Sequence, residues 1–154
     1  MRKIDKTLGK ILLEKHLISL EQLNEALEEQ KKSKEFLGRI LLKKGYIKEE
    51  NLIKALSEQF NMEIVDLKYQ YLDNNFLNKF SPTLIFDLRC FPLRQDKETI
   101  IFVIANPLDV WAIKKAEEAA GNLKAKFVLA SESGIDDALL RYKEYLKNQI
   151  LKRV

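Results

Sequence analysis

The feature that most constrains the fold of this chain is a repeat within its first sixty residues. Residues 7–30, TLGKILLEKHLISLEQLNEALEEQ, align without gaps on residues 36–59, FLGRILLKKGYIKEENLIKALSEQ, and 13 of the 24 positions are identical. A polar joint of five residues, KKSKE, separates the two copies. The chain therefore contains a duplicated supersecondary unit, and we expect its copies to pack together with pseudo-two-fold symmetry.

Each copy is predicted to form a short helix followed by a longer one. Apolar residues recur at i, i+3 and i+4 starting from Leu8 and from Leu37. The short helices are predicted to end at His16 and Gly45, where the chain is expected to take a left-handed conformation. Ser19, followed three residues later by a glutamine, forms a capping-box pattern at the start of the longer helix. The repeat thus predicts four helices.

After Met62 the helical periodicity gives way to short apolar runs separated by turn residues. Strands are expected at 63–67, 90–93, 99–104 and 124–130, and helices at 82–88, at 110–120 and from 132 to 146 or beyond. The predicted fold class is α+β. It comprises a four-helix subdomain over residues 1–66, followed by a small α/β sandwich subdomain with a C-terminal helix over residues 67–154.

The composition excludes several kinds of site. Cys90 is the only cysteine and His16 the only histidine, which excludes an intrachain disulfide, a multi-cysteine zinc site and a histidine-based triad. The sequence also lacks a GxxxxGK[ST] loop, which an ATPase needs to hold phosphate. No catalytic residue and no metal site are therefore predicted. No apolar stretch is long enough for a transmembrane segment and no signal peptide is evident, so a cytoplasmic chain is expected.

The positive net charge makes nucleic acid a partner to consider. The chain carries 27 Lys+Arg against 23 Asp+Glu, a formal net charge of +4. However, a DNA-recognition helix is basic, whereas the longer helices of both repeats are rich in glutamate. These glutamates are Glu21, Glu25, Glu28, Glu29, Glu49, Glu50 and Glu58. A DNA-binding helical protein is therefore the less favoured alternative, and no DNA partner is expected.

The repeat resembles the tandem motif RLGxxLVxxGLIxxxxLxxxLxxQ of the MshEN-type N-terminal domain of type II secretion and type IV pilus assembly ATPases. In that family two such 24-residue motifs are separated by five residues, as they are here. The second half of the chain is similar as well, through IVDL at 64–67, PL at 92–93, VIANPLD at 103–109 and ASES at 130–133. The resemblance covers about residues 5–145.

This resemblance implies a non-catalytic regulatory and docking domain. Family members precede a hexameric ATPase, dock on inner-membrane platform proteins and, in some cases, bind cyclic di-GMP. The implied partners are therefore secretion or pilus platform proteins, an ATPase domain in cis or trans, and a cyclic dinucleotide, with no cofactor beyond that ligand. The implied location is the cytoplasm, with peripheral attachment to the inner membrane through partners.

The resemblance also places a candidate cyclic di-GMP site on both repeats. Its motif positions are Thr7, Leu8, Gly9, Leu23, Leu27, Gln30, Phe36, Leu37, Gly38, Arg39, Leu52, Leu56 and Gln59. Thr7 and Phe36 replace the two motif arginines, which removes two charge-assisted contacts worth about 1.5–3 kcal/mol each. A degenerate site is therefore expected. The alternative is a functional receptor in which Lys6, Lys10 and Arg39 supply charge and Phe36 stacks on a base.

The motif residues also have a packing interpretation. Gly9 and Gly38 fit a close approach of two helices or a contact with phosphate, and the sequence leaves both open. Leu23, Leu27, Leu52 and Leu56 are expected to lie in the core rather than on a ligand surface. Gln30 and Gln59 are expected to tie helix ends to the neighbouring repeat.

Two residues of the second half receive structural interpretations. Trp111 is expected in the core of the sandwich, with partner docking as the alternative. Cys90 is expected to be an inert buried thiol. Neither residue is predicted to bind a ligand.

Overall fold

The structure is a computed structural model and describes residues 7–153. Lys6, one of the predicted sources of charge for the ligand site, lies outside the described residues. The chain divides between Met62 and Glu63 into two compact units, here called unit 1 and unit 2. The boundary predicted from the sequence lies a few residues later, after Asp66. The predicted α+β class, with helices first and a small sheet after them, is confirmed.

The described part of unit 1 consists of two helices from each repeat. They are α1 (Leu8–Glu14), α2 (Leu20–Ser33), α3 (Leu37–Lys43) and α4 (Glu49–Phe60). The helices exchange partners between the repeats, because α1 packs against α4, α2 packs against α3, and the two short helices meet each other. This exchange is what the predicted pseudo-two-fold arrangement requires.

Equivalent residues of the two repeats fill the core of unit 1. Leu12 and Leu41 occupy the same repeat position, and both are fully buried. The same is true of Ala26 and Ala55. The turns that end α1 and α3 are also equivalent, since His16 has φ 57° and Gly45 has φ 73°. The left-handed turns predicted from the sequence are thus confirmed.

Unit 2 is built on a three-stranded sheet with the strand order β1-β2-β3. The strands are β1 (Phe91–Gln95), β2 (Thr99–Ile104) and β3 (Lys124–Leu129). The first two form an antiparallel hairpin, and β3 runs parallel to β2. One carboxylate holds the hairpin turn, because Asp96 Oδ1 accepts hydrogen bonds from the backbone N–H groups of Glu98 and Thr99, both at 2.8 Å.

The strand predicted at 63–67 is not formed. The segment makes a single parallel bridge from Ile64 to Leu129, and then turns into a short 3₁₀ helix over Leu67–Tyr69. Asp66 explains the change of direction, because its side chain accepts a hydrogen bond from the backbone N–H of Lys68 at 3.1 Å. Such a local bond competes with the ladder of a sheet.

The helices of unit 2 are a short α5 (Asn74–Leu77), a π-helical turn (Thr83–Asp87), α6 (Val110–Ala120) and α7 (Glu132–Leu151). Asp109 and Ser131 cap α6 and α7, because their side chains accept backbone hydrogen bonds from the first turn. The segment predicted as a helix at 82–88 is the π-helical turn. The core of unit 2 brings Ile135 and Tyr142 of α7 together with Phe91 and Val103 of the sheet.

Candidate functional site

Gly9 and Gly38 occupy the same place in the two repeats, at the second position of α1 and α3. A Cβ atom added to Gly9 would lie 3.0 Å from Leu23 Cδ1, and one added to Gly38 would lie 2.9 Å from Leu52 Cδ1. Carbon atoms in normal contact are about 3.5–4.0 Å apart. The packing interpretation is therefore supported: each glycine makes room for a leucine of the next helix in its own repeat.

The predicted site residues separate into groups by exposure. The buried group is Leu8, Gly9, Leu23, Gly38, Leu52 and Leu56. The exposed group is Thr7, Leu27, Phe36 and Arg39, and Gln30, Leu37 and Gln59 are half-buried. Because the first group forms part of the core of unit 1, a ligand could reach only the side chains of the other two groups.

Leu27 corrects the expectation that Leu23, Leu27, Leu52 and Leu56 all lie in the core. Leu23, Leu52 and Leu56 are buried as expected, but Leu27 is 37% exposed. The reason is that α2 presents Leu23 and Ala26 to the core, which leaves Leu27 at the edge of the packed face. Among these four leucines, Leu27 is therefore the one with a surface that a ligand can touch.

Thr7 and Phe36, the residues at the positions of the motif arginines, are the N-caps of α1 and α3. Thr7 Oγ1 accepts a long hydrogen bond, 3.4 Å, from the backbone N–H of Lys10. Phe36 makes no side-chain cap bond and is 38% exposed. Lys10 and Arg39 are exposed in the first turns of the same two helices, so each of these helices carries an exposed cation close to its motif start.

The two motif glutamines differ in their hydrogen bonds. Gln30 Nε2 donates to the carbonyl oxygen of Glu35 at 3.1 Å, which ties the end of α2 to the residue just before the second repeat. Gln59 Oε1 is buried and has no hydrogen-bond partner among residues 7–153. Gln30 thus forms a hydrogen bond to the joint between the repeats, whereas Gln59 Oε1 forms no such bond among residues 7–153. Buried polar atoms without partners are rare in folded proteins.

Ion pairs join the repeats near the ends of the short helices. Lys15 Nζ lies 2.9 Å from Glu58 Oε2, and Lys44 Nζ lies 3.2 Å from Glu25 Oε1. The Tyr46 hydroxyl donates to the second oxygen of Glu25 at 2.6 Å. The Tyr46 hydroxyl, and after it Lys44, hold the pKa of Glu25 below its ordinary value. The sequence reasoning missed these contacts because their members are far apart along the chain.

Trp111 corrects a second expectation. It is 54% exposed, and Lys115 Nζ lies 4.7 Å from the centre of its ring system. The face that α6 buries is made of alanines, among them Ala112 and Ala116, and Trp111 lies off that face. By contrast Cys90 is fully buried, and desolvation raises the pKa of its thiol to about 12. The interpretation of Cys90 as an inert thiol is thus supported.

Within the part of the chain that the structure describes, no group of three or more histidine, cysteine, aspartate or glutamate side chains could hold a metal ion. No helix formed by residues 7–153 is long and apolar enough to cross a membrane. The exposed motif residues of unit 1 are therefore the candidate site that the sequence and the geometry have in common.

Most of unit 2 and the end of α4 match a known protein family. The MshEN domain family matches residues 60–149, which is more than half of the chain. The matched segment begins at the last residue of α4 and extends through most of α7. No relative was found among curated proteins.

Solved structures extend the likeness to the rest of the chain. The structure of MshE with cyclic di-GMP is 26% identical, covers 89% of this chain and 99% of that chain, and has a TM-score of 0.78. The N-terminal domain of XpsE shares the fold in two crystal forms. One is 20% identical with a TM-score of 0.67, covering 92% of this chain and 96% of that one. The other is 22% identical with a TM-score of 0.55, covering 89% and 95%.

The structural match with MshE is long enough to include most of the tandem repeat. Since it covers 89% of 154 residues, the alignment leaves out 11%, and so most of the tandem repeat lies inside it. The family match and this structural match together span unit 2 and most of unit 1. The chain therefore belongs to the MshEN domain family, the N-terminal domains of type II secretion and type IV pilus assembly ATPases.

Proposed function

We propose that this chain is a non-catalytic docking and regulatory domain of a type II secretion or type IV pilus assembly ATPase system, with a degenerate cyclic di-GMP site on its tandem repeat. One observation carries the proposal. Both repeats keep the glycine–leucine packing of Gly9 on Leu23 and Gly38 on Leu52, while the motif arginines are absent from both helix starts. The scaffold of a two-fold site is thus present without its two strongest anion contacts.

The ligand assignment is supported by MshE, which was solved with cyclic di-GMP. A symmetric dinucleotide suits a pseudo-symmetric pair of repeats, and the exposed motif residues supply polar and aromatic contacts. Two missing charge-assisted contacts weaken binding by about two to four decades, at about 1.4 kcal/mol per decade. We therefore expect weak binding of cyclic di-GMP by this chain.

Membership of the family supports the docking role. The proposed partners are proteins of the inner-membrane platform and an ATPase domain in cis or trans, which would place the chain in the cytoplasm beside that membrane. Binding of a partner protein does not need the motif arginines, so the docking role survives their loss. Regulation by cyclic di-GMP, in contrast, is weakened by their loss, because it depends on how tightly the ligand binds.

Calorimetric titration with cyclic di-GMP tests the ligand part of the proposal. The parent chain is compared with a Thr7→Arg, Phe36→Arg variant, which restores both motif positions. An Asn75→Arg, Asn122→Arg variant is the matched control, because it adds the same charge at two exposed positions outside both motif copies. We expect the motif variant to bind at least about 100-fold more tightly than the parent and the control. Equal affinity in all three chains would contradict a degenerate site.

A fully functional receptor is the second candidate, and Phe36 favours it. Its ring is 38% exposed at the start of α3, beside the exposed Arg39, and both groups stack on bases in other proteins. This candidate predicts micromolar binding by the parent chain, with loss of binding in Phe36→Ala and Arg39→Ala variants. Tight binding that survives both substitutions would exclude it.

The non-catalytic assignment has its own test. The sequence offers no Gly-Lys-Ser or Gly-Lys-Thr, and Gly9-Lys10-Ile11 is the nearest approach to a phosphate-binding loop. We expect no ATP hydrolysis above background by the purified chain in the presence of magnesium. Hydrolysis that persists through further purification steps would overturn the assignment.

A further inference from the structure

Helix α7 carries a second side-chain stripe on the side that faces solvent. Leu140, Glu144, Lys147 and Leu151 follow one another at spacings of four, three and four residues, which is the spacing of a coiled-coil seam. Leu140 is 57% exposed and Leu151 is 61% exposed, and the neighbouring Ile150 is 64% exposed. All of these residues line one shallow groove on the surface of unit 2.

This stripe is distinct from the face that α7 buries. The buried face consists of Ile135, Ala138 and Tyr142, which belong to the core of unit 2. Neither Glu144 nor Lys147 forms an ion pair within the described part of the chain, residues 7–153. The stripe therefore combines exposed apolar ends with two unpaired opposite charges between them, an arrangement that favours a partner surface.

The order of the stripe makes it complementary to itself. When two copies of α7 lie antiparallel, with the symmetry axis between residues 145 and 146, Leu140 of one copy meets Leu151 of the other. In the same arrangement Glu144 meets Lys147 of the second copy, and the contact occurs twice by symmetry. A parallel arrangement would instead place Glu144 against Glu144 and Lys147 against Lys147, and both contacts are repulsive.

We propose that α7 pairs antiparallel with α7 of a second copy of this chain, through Leu140, Glu144, Lys147 and Leu151. The inference rests on the stripe alone and is independent of the cyclic di-GMP site. The four positions span about 16 Å of helix at about 1.5 Å per residue. Such a small contact falls in the range of weak complexes, so we expect a dissociation constant of about 0.1–1 mM at low salt. Two of the contacts are ionic, so added salt weakens the dimer.

Sedimentation velocity of the full chain tests the pairing at concentrations from about 10 μM to about 1 mM, the range around the expected dissociation constant. Glu144→Lys places two lysines opposite each other and weakens the dimer at least about tenfold. The double variant Glu144→Lys, Lys147→Glu exchanges the charges and restores dimerisation to the parent level. Disulfide-linked dimers are not expected to interfere, because Cys90 is fully buried.

Matched variants separate the stripe from general changes of the surface. Glu117→Lys makes the same change of charge on the exposed side of α6 and is expected to leave the dimer intact. Leu140→Ser weakens the dimer, whereas Leu20→Ser removes an equally exposed leucine, 61%, from unit 1 and does not. Circular dichroism verifies that each variant remains folded.

Each outcome of the sedimentation experiment either supports or overturns the pairing of α7. Loss of the dimer in Glu144→Lys and its recovery in the charge-exchanged double variant support antiparallel pairing of α7. A chain that stays monomeric at about 1 mM and low salt, conditions that favour even weak complexes, overturns the proposal and assigns the stripe to another occupant. A dimer that Glu144→Lys leaves unchanged overturns it as well, because the association then uses a different surface.

Discussion

The two repeats of unit 1 share a core and differ at their helix ends. In the first repeat a reciprocal capping box opens α2: Ser19 Oγ accepts from the Gln22 backbone at 3.1 Å, and Gln22 Oε1 accepts from the Ser19 backbone at 2.9 Å. In the second repeat Lys48 precedes α4 without any side-chain cap. The second repeat has the better turn, since Gly45 takes the left-handed conformation that His16 adopts at some cost.

The comparison indicates which parts of the repeat the fold depends on. The contacts that both copies keep are long-range: the glycine–leucine packing, the buried leucines and alanines, and the exchange of helix partners. The contacts that differ include local ones, namely caps, turns and one glutamine bond, and long-range ones, namely the unequal burial of Leu27 and Leu56 and the bond from Tyr46 to Glu25. Helices as short as α1 and α3 are marginal by themselves, so packing between the repeats supplies most of their stability. Local bonds can then change in one copy without loss of the fold.

The largest expected effect on stability comes from disrupting the glycine–leucine packing that the two repeats share. Gly38→Val drives a branched side chain into Leu52, and overpacking of this kind costs about 3 kcal/mol of unfolding free energy. Gly9→Val faces Leu23 at nearly the same distance and is expected to cost a similar amount. Urea denaturation measures the loss, and hydrogen exchange of unit 1 amides separates it from events in unit 2.

A double variant controls this test of the shared packing. Leu52→Ala alone also destabilises unit 1, but in Gly38→Val, Leu52→Ala the valine occupies part of the space that the leucine has left. The double variant is therefore expected to lose less free energy than the sum of the two single losses. Strictly additive losses, or no loss from Gly38→Val, would contradict the packing role of the glycines and favour their alternative role as phosphate contacts.

Smaller effects on the free energy of unfolding, opposite in sign to each other, are expected at the two equivalent turns. His16→Gly relieves a left-handed non-glycine residue and is expected to stabilise the chain by about 0.5–1 kcal/mol. Gly45→Ala introduces the same strain into the second repeat and is expected to destabilise by about 1 kcal/mol. No atom lies within 4 Å of a Cβ placed on Gly45, so the effect reports the backbone alone. Shifts in the same direction would show that the two turns are not equivalent.

The sequence predicts the elements of unit 1 well because its signals are both local and duplicated. The capping box at Ser19 and the left-handed turns at His16 and Gly45 each depend on residues within one or two turns of chain. The strand expected at 63–67 fails for a different reason. Its apolar residues permit pairing, but the bond from Lys68 to Asp66 diverts the backbone after a single bridge. A competing local hydrogen bond cannot be weighed from apolar pattern alone.

The candidate site shows the limit of prediction more clearly. Leu27 and Leu56 are the same residue at the same repeat position, yet Leu27 is 37% exposed and Leu56 is 5% exposed. Their neighbours differ, since Asn24 stands where the second repeat has the buried Ile53, but how far each leucine is buried depends on which helices pack nearby. The bond between Tyr46 and Glu25 joins residues 21 positions apart. The motif therefore indicates where a site is expected, while tertiary packing decides which of its residues a ligand can reach.

The smallest expected effect concerns the ion pairs that join the repeats, and it depends on pH. The pKa of Glu25 is lowered by Tyr46 and Lys44, so its contribution to stability is present above the pKa of the unfolded chain and is lost as the pH falls through the lowered value. Glu25→Gln is therefore expected to lower stability at pH 7 and to have almost no effect below the carboxylate range, about pH 3. Chemical denaturation at both pH values provides the measurement.

The ion pair at the end of the other short helix supplies the control: Lys15 has the same repeat position as Lys44, whereas Glu58 and Glu25 occupy different positions. Glu58 has Lys15 as its ion-pair partner at 2.9 Å, whereas Glu25 has two partners, Lys44 and Tyr46. Both sites are exposed to solvent, where a single ion pair contributes little. Glu58→Gln is accordingly expected to change stability less than Glu25→Gln at pH 7. A larger loss from Glu58→Gln would mean that the α1–α4 contact, and not the α2–α3 contact, is the one that electrostatics reinforce.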